Sequence, residues 1–199
     1  MLDQLRKRLQ HHRPWRLRTR GREAGVLVAL TDRPDPEVIL TLRAATLSTH
    51  SGEVAFPGGK RDPEDRDLLD TALREAHEEI DLRPDDVNVI GSLGQVVSKH
   101  HLQVSPWVGI VAAHQPLQAN PDEIERILRV PLSFLLDPAC RRMDRLDFAG
   151  KARFVPAWDW QGDVIWGLTA YILAELLNVG FDAEIPMKPR PEHLESTRD

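Results

Sequence analysis

The stretch DLLDTALREAHEEI, residues 67–80, constrains this chain more than any other. Its apolar positions Leu69, Leu73, Ala76 and Ile80 are spaced 4, 3 and 4 apart, the period of a helix with one narrow apolar stripe. Asp67 stands where it can cap the amino end, and Asp70 where a capping-box acid would sit. A helical projection puts Glu75, Glu78 and Glu79 on the face opposite the stripe. As i,i+3 and i,i+4 neighbours they repel by about 0.2–0.5 kcal/mol per pair. Arg74, one turn before Glu78, offsets only part of that. A solvated acidic face is the ordinary outcome for such a helix. Lysine would solvate it equally well without the repulsion, however, and a divalent cation would turn the repulsion into attraction. Hard oxygen donors without His or Cys select Mg²⁺ or Mn²⁺ over Zn²⁺.

That helix needs a partner surface, and strands surround it. AGVLVALT (24–31) and EVILTLR (37–43) read as strands joined by the turn-forming DRPDP. Residues 44–66 read as irregular, and 87–98 and 102–113 as further strands. PDEIERILRVPLSFLL (121–136) reads as a helix or helical turns, 141–160 as a hairpin around Ala149-Gly150, and 163–178 as an amphipathic helix. Residues 2–12 form a short helix before Pro14, and the tail beyond Pro186 is polar and disordered in expectation. Strands mixed with helices around one core imply an α/β or α+β sandwich.

Charge is uneven along the chain. Residues 1–22 hold eight Lys or Arg and one acid, Asp3, leaving 18 basic and 30 acidic residues beyond them. A net charge of −5 gives no overall field for nucleic acid or membrane, and no apolar run is long enough to span a bilayer. Cys140 is the only cysteine, which excludes an internal disulfide and fits a reducing cytosol. The start lacks the apolar stretch of a secretory signal, so a cytoplasmic location is expected.

The segment GGKRDPEDRDLLDTALREAHEEIDL resembles the Nudix box, whose pattern is Gly, five residues, Glu, seven residues, then Arg-Glu-apolar-any-Glu-Glu-any-Gly-apolar. Gly59, Arg74, Glu75, Ala76, Glu78, Glu79 and Leu82 match it. Asp65 takes the first Glu position, eight residues rather than seven precede Arg74, and Asp81 replaces the Gly after the helix. The extra residue falls in the loop, before the helical register is set. Asp tolerates the left-handed conformation that ends many helices. Just upstream, ILTLRAATLSTHSGEVAFPGG (39–59) is similar to the signature of the coenzyme A pyrophosphatase branch through Leu40, Thr41, Ala44, Gly52, Phe56, Pro57, Gly58 and Gly59. Arg43 stands where that branch has Thr, and Ser48 where it has Arg.

The resemblance implies an α/β/α sandwich with a mixed sheet: a basic helix or arm at 1–22, a Nudix hydrolase domain at 23–180 and a flexible tail at 181–199. It implies hydrolysis of the diphosphate of coenzyme A and its derivatives to 3′,5′-ADP and 4′-phosphopantetheine. The alternatives are a broader diphosphatase acting on ADP-ribose, dinucleoside polyphosphates or nucleoside triphosphates, or a nucleotide-sensing domain without turnover. The implied metal ligands are Glu75, Glu78, Glu79 and the Gly59 carbonyl, holding Mg²⁺ or Mn²⁺. The implied catalytic set is Glu78, Glu79, Glu123 and Arg74, with Glu123 a loop candidate for the general base and Arg74 orienting carboxylates, itself held by Asp65. Read without the resemblance, Glu123 is an acid at a helix amino end. Arg43, His50 and Lys60 are candidate contacts to substrate phosphate. His100 and His101 read as loop or edge residues, and Trp107, Trp158, Trp160 and Trp166 as core or dimer-interface residues. A homodimer is the partner expected besides the small-molecule substrate.

Overall fold

The computed structural model describes residues 1–17, 21–44, 52–98, 101–148 and 151–187, the side chains of 146–148 and 151–153 excepted. Helix α1 (Leu2–His11) leads to strands β1 (Arg22–Thr31) and β2 (Glu37–Arg43), then to the short β3 (Val54–Ala55) and β4 (Gly58–Lys60). Helix α2 (Leu68–Ile80) follows, then β5 (Asn88–Ser92), β6 (Val96–Val97) and β7 (Leu102–Val111). Beyond these come β8 (Ile124–Pro131), α3 (Leu132–Leu136), β9 (Arg141–Phe148), β10 (Lys151–Trp160), β11 (Asp163–Ile165) and α4 (Gly167–Phe181).

The main sheet runs β3-β2-β1-β7-β5, with β8 also on β2, β4 on β1 and β6 on β7. β1 and β7 pair in parallel from Arg22↔Leu102 to Thr31↔Val111, while the other pairs are antiparallel, so the sheet is mixed. Strand alternation sorts the core onto two faces. Leu27, Ala29 and Ile39 meet Ala72, Ala76 and Ile80 of α2 on one face. Val28, Leu30, Val38 and Leu40 join the leucines of α1 and α4 on the other. The result is the expected three-layer sandwich. On the α4 side a second sheet, β11-β10-β9, is pinned by Trp158, fully buried, whose Nε1 donates to the Leu135 carbonyl at 3.2 Å. Helix α1 docks by Leu2, Leu5 and Leu9, and Gly180 of α4 leaves room for Leu5, which a Cβ there would approach to 2.6 Å.

Several sequence expectations shift. Residues 121–136 are mainly strand: β8 pairs with β2 from Glu37↔Pro131 to Arg43↔Ile124, and only Leu132–Leu136 is helical. The spacing of Ile124, Ile127 and Leu128 suits a helix locally, but β2 offers an open edge and tertiary pairing prevails. Residues 44–66 contain β3 and β4, 87–98 splits into β5 and β6, and 163–178 opens with β11 before α4 begins at Gly167. His101 sits at φ 57 in the turn before β7, its N–H donating to the Ser98 carbonyl. His100 and the tail from residue 188 lie outside the described residues.

Candidate functional site

Local chemistry sets both ends of α2. Asp67 is extended, and its Oδ1 accepts from the N–H groups of Leu69 and Asp70 at 2.9 Å each. Asp70 reaches back one residue further than a capping box would, to the Arg66 N–H at 3.2 Å. At the other end Asp81 takes the left-handed conformation, φ 54 and ψ 31, and its N–H donates to the His77 carbonyl at 3.0 Å. The helix lies very close to β1. A Cβ on Gly25 would fall 2.1 Å from the Leu68 carbonyl oxygen and 2.9 Å from the Ala72 nitrogen. Glycine on the strand under Ala72 and Ala76 on the helix is what permits that approach.

The close approach rotates the buried face away from the one the helical projection gives. Ala72, Ala76 and Ile80 are fully buried, and with them Thr71 and Glu79, while Leu69 and Leu73 are only partly covered. The three glutamates therefore do not share an outward face: Glu79 is 1% exposed, the Glu75 side chain 17% and the Glu78 side chain 53%.

Arg74 organises the outer two. Its Nε and Nη2 donate to the two oxygens of Asp65 at 2.9 and 3.0 Å, and Nη2 also to the Lys60 carbonyl at 3.1 Å. Its Nη1 donates to Glu75 Oε1 at 3.1 Å and Glu78 Oε2 at 3.0 Å. Asp65, itself buried, further accepts from Thr71 Oγ1 at 2.8 Å and the Asp62 N–H at 2.9 Å. The Arg74 bonds hold the Asp65 carboxyl well below the usual carboxylate range, and the same bonds raise the Arg74 guanidinium.

Glu79 is held otherwise. Its Oε1 accepts from Arg43 Nη1 and its Oε2 from the Gly58 N–H, each at 3.1 Å. Burial nevertheless pushes its carboxyl up to about 7, against the pull of the Gly58 N–H and Arg43, and the charges of Glu75 and Glu123 add to the rise. Burial raises Glu75 too, opposed by Arg74 and reinforced by Glu78 and Glu123. Glu123 lies in the turn just before β8, not at a helix amino end. The loop before β8 is tied to the end of α2 by Gln118 N–H to the Ile80 carbonyl and Asn120 N–H to the Glu79 carbonyl, and to β2 by Ala44 N–H to the Glu123 carbonyl. Gly59 lies directly over Glu75, since a Cβ there would come 2.3 Å from its carboxylate.

Other signature residues serve the turn itself. Thr41 Oγ1 donates to the Ala55 carbonyl, Phe56 is buried in the α4-side core, and Gly58 comes so near β1 that a Cβ would lie 2.4 Å from the Gly25 oxygen. Lys60 follows at the exposed end of β4, and His50 and Ser48 lie outside the described residues. The sequence reading missed the burial of Glu79 and its two bonds. The signal available for it was the small-residue row of Gly25, Ala72 and Ala76.

Among the described residues, no three His, Cys, Asp or Glu side chains already converge as a chelating group; Arg74 bridges Glu75 and Glu78, and Arg43 holds Glu79. In kind the donors fit a hard divalent cation. They are carboxylate oxygens, crowded and desolvated enough to lift two of them above their ordinary range, a cost that a cation removes.

The family model described as the NUDIX domain matches residues 21–146. A Cronobacter sakazakii protein named as an uncharacterized Nudix hydrolase, NudL, is 41% identical, the match covering 90% of this chain and 95% of that protein. Nudix hydrolase 22, chloroplastic, of Arabidopsis thaliana is 43% identical over 87% of this chain and 61% of its own length. The crystal structure of a Nudix hydrolase from M. smegmatis, RenU, superposes with a TM-score of 0.55 at 19% identity, over 84% of this chain and 89% of that one, a likeness of fold. With the box on α2, the glycine pair of β4 beside it and these matches, the chain belongs to the Nudix hydrolase family.

Proposed function

We propose that this chain hydrolyses the diphosphate bond of coenzyme A and its acyl derivatives, with Mg²⁺ or Mn²⁺, to 3′,5′-ADP and the matching 4′-phosphopantetheine. The observation that carries the reading is the placing of Glu75, Glu78 and Glu79 along α2 against β4, with Arg74, pinned by Asp65, bonded to Glu75 and Glu78, Gly59 over Glu75 and the Gly58 N–H on Glu79. The choice of coenzyme A among diphosphates rests on the similarity of residues 39–59 to that branch's signature.

In this reading Glu75, Glu78 and Glu79 hold the divalent cation, with the Gly59 carbonyl as a further ligand. The bound cation supplies neutralisation of the diphosphate and a more acidic water. Glu123 would accept the proton of the attacking water, and a helix glutamate, Glu78 or Glu79, is the alternative base. The water oxygen bonds to one phosphorus, the bridging P–O bond breaks, and the electron pair leaves with the other phosphate. Arg74 is a positioning residue: its guanidinium is fully engaged with Asp65, Glu75, Glu78 and the Lys60 carbonyl. Lys60, at the exposed end of β4, is a candidate phosphate contact.

A panel of coenzyme A, acetyl coenzyme A, ADP-ribose, a dinucleoside tetraphosphate and nucleoside triphosphates, each with Mg²⁺ and separately with chelator, tests this. Coenzyme A is expected to be the best substrate, and chelator to stop the reaction. Coenzyme A left intact while ADP-ribose is consumed would overturn the substrate.

A further inference from the structure

Two arginines stand among the site carboxylates, and they are held very differently. Arg74 has bonds to Asp65, the Lys60 carbonyl, Glu75 and Glu78. Arg43, at the last position of β2, has one ion-pair partner among the described residues, Glu79 at 3.1 Å. Glu79 is 1% exposed, so water cannot balance its charge, and its second oxygen already accepts from the Gly58 N–H. The Arg43 guanidinium therefore already holds the Glu79 oxygen that the Gly58 N–H leaves free, and another cation must compete with it for that oxygen.

We infer that Arg43 is an exchange partner: it holds Glu79 in the cation-free site, yields that carboxylate to the divalent cation, and then turns its freed guanidinium to a phosphate oxygen of the diphosphate. The inference rests on the metal-dependent reading above. Taking Arg43 away removes both a competitor for Glu79 and a nearby positive charge, so cation binding strengthens. It also removes a charged partner for phosphate, so diphosphate binding weakens. A residue that only supported the fold would not move the two affinities in opposite directions.

Calorimetric Mn²⁺ titration of wild type, Arg43→Gln, Arg43→Lys and Glu78→Gln provides the test, followed by titration of methylenediphosphonate at saturating Mn²⁺. Arg43→Gln is expected to bind Mn²⁺ roughly 5- to 100-fold more tightly and the diphosphonate at least about tenfold more weakly, with Arg43→Lys between it and wild type. A second measurement needs no variant. Phenylglyoxal labelling of Arg43 in the wild-type protein, followed by peptide mass spectrometry, should be slow with chelator, faster with Mg²⁺, and slow again with Mg²⁺ and diphosphonate. If Mn²⁺ binding is indifferent to Glu78→Gln, the metal reading falls and this inference with it. If Glu78→Gln weakens Mn²⁺ binding but Arg43→Gln does not tighten it, or labelling ignores Mg²⁺, the exchange alone is overturned.

Discussion

The two faces of the main sheet are built for different ends. On the α4 face, Leu173, Leu176 and Leu177 pack with Leu5 of α1 and with Val28, Leu30 and Leu40 of the strands in one large apolar cluster. On the α2 face the apolar set is much smaller, two of the helix's contributions are alanine, and buried Asp65, Thr71 and Glu79 lie beside it. Area removed from water is the main source of folding free energy, so the α4 face supplies most of the stability. Small residues let α2 come down onto β1, which brings its carboxylates to the glycine turn, and the burial that results lifts the carboxyls of Glu75 and Glu79. The site is the region where packing is traded for charge.

This contrast can be broken by substituting each face alone. Leu173→Ala, at a fully buried position of α4, is expected to cost about 2–5 kcal/mol in urea unfolding while hydrolysis per folded molecule stays at the wild-type value. The converse is Glu78→Gln. With its side chain 53% exposed, Glu78 carries little of the fold, so the urea midpoint should barely move while activity falls roughly 100-fold or more. A Leu173→Ala protein that stays folded but loses turnover would show that the faces are coupled, and a Glu78→Gln protein as active as wild type would refute the metal assignment.

The two buried carboxylates on the α2 face sharpen the comparison, because they shift in opposite directions. Glu79 titrates at about 7 when folded and near 4.3 when unfolded, so the folded state binds its proton more tightly. Its contribution is fully present below about 4.3 and is lost as pH rises through about 7. Asp65 is held below its ordinary value by Arg74, so its contribution is present above about 3.9 and is lost as pH falls. In chelator, the stability of wild type should therefore decline from pH 4.3 to 7 by up to about 3 kcal/mol on account of Glu79. Glu79→Gln should flatten that decline, and Asp65→Asn should flatten only the acid limb. An unchanged slope in Glu79→Gln would place the titration elsewhere.

How much of this was legible in the sequence follows from the range of the forces involved. α2, its Asp67 cap, its left-handed Asp81 end, β1, β2 and the β9–β10 hairpin are encoded within a few residues, in spacing and turn chemistry. β8 was misread because Ile124, Ile127 and Leu128 fit a helix, and only the partner strand β2, whose paired residues run from Arg43↔Ile124 to Glu37↔Pro131 far apart in sequence, decides otherwise. β3, β4 and β6 are two or three residues long, too short to show any period. α4 begins without a capping side chain at Trp166, so its start carried no local mark. For the site, residue types and the grouping of the glutamates could be read. Which carboxylate is buried could not, because a helical projection cannot know that Gly25 lies beneath Ala72.

The smallest expected effect concerns the end of α2, where this chain departs from the family's glycine. Asp81 holds φ 54 and ψ 31, a conformation disfavoured for a side chain with a Cβ although Asp tolerates it better than most. Its negative charge also faces the negative end of the helix dipole, an unfavourable pairing worth about 0.3–1 kcal/mol. Opposing both is the ion pair with His77 at 3.5 Å, between side chains more than half exposed and present only when His77 is protonated. Asp81→Gly removes the strain and the dipole penalty, against a larger loss of backbone entropy on folding. The two gains outweigh that loss, so the variant should be more stable by about 0.5–1 kcal/mol, a rise in Tm of roughly 1–4 °C for a chain of this length. Activity should be unchanged, because the Glu79 carbonyl bond to Asn120 and the Ile80 bond to Gln118 hold the end of α2 independently of residue 81. A lower Tm would mean that the His77 pair, or the stiffness of a non-glycine residue, governs this end of the helix.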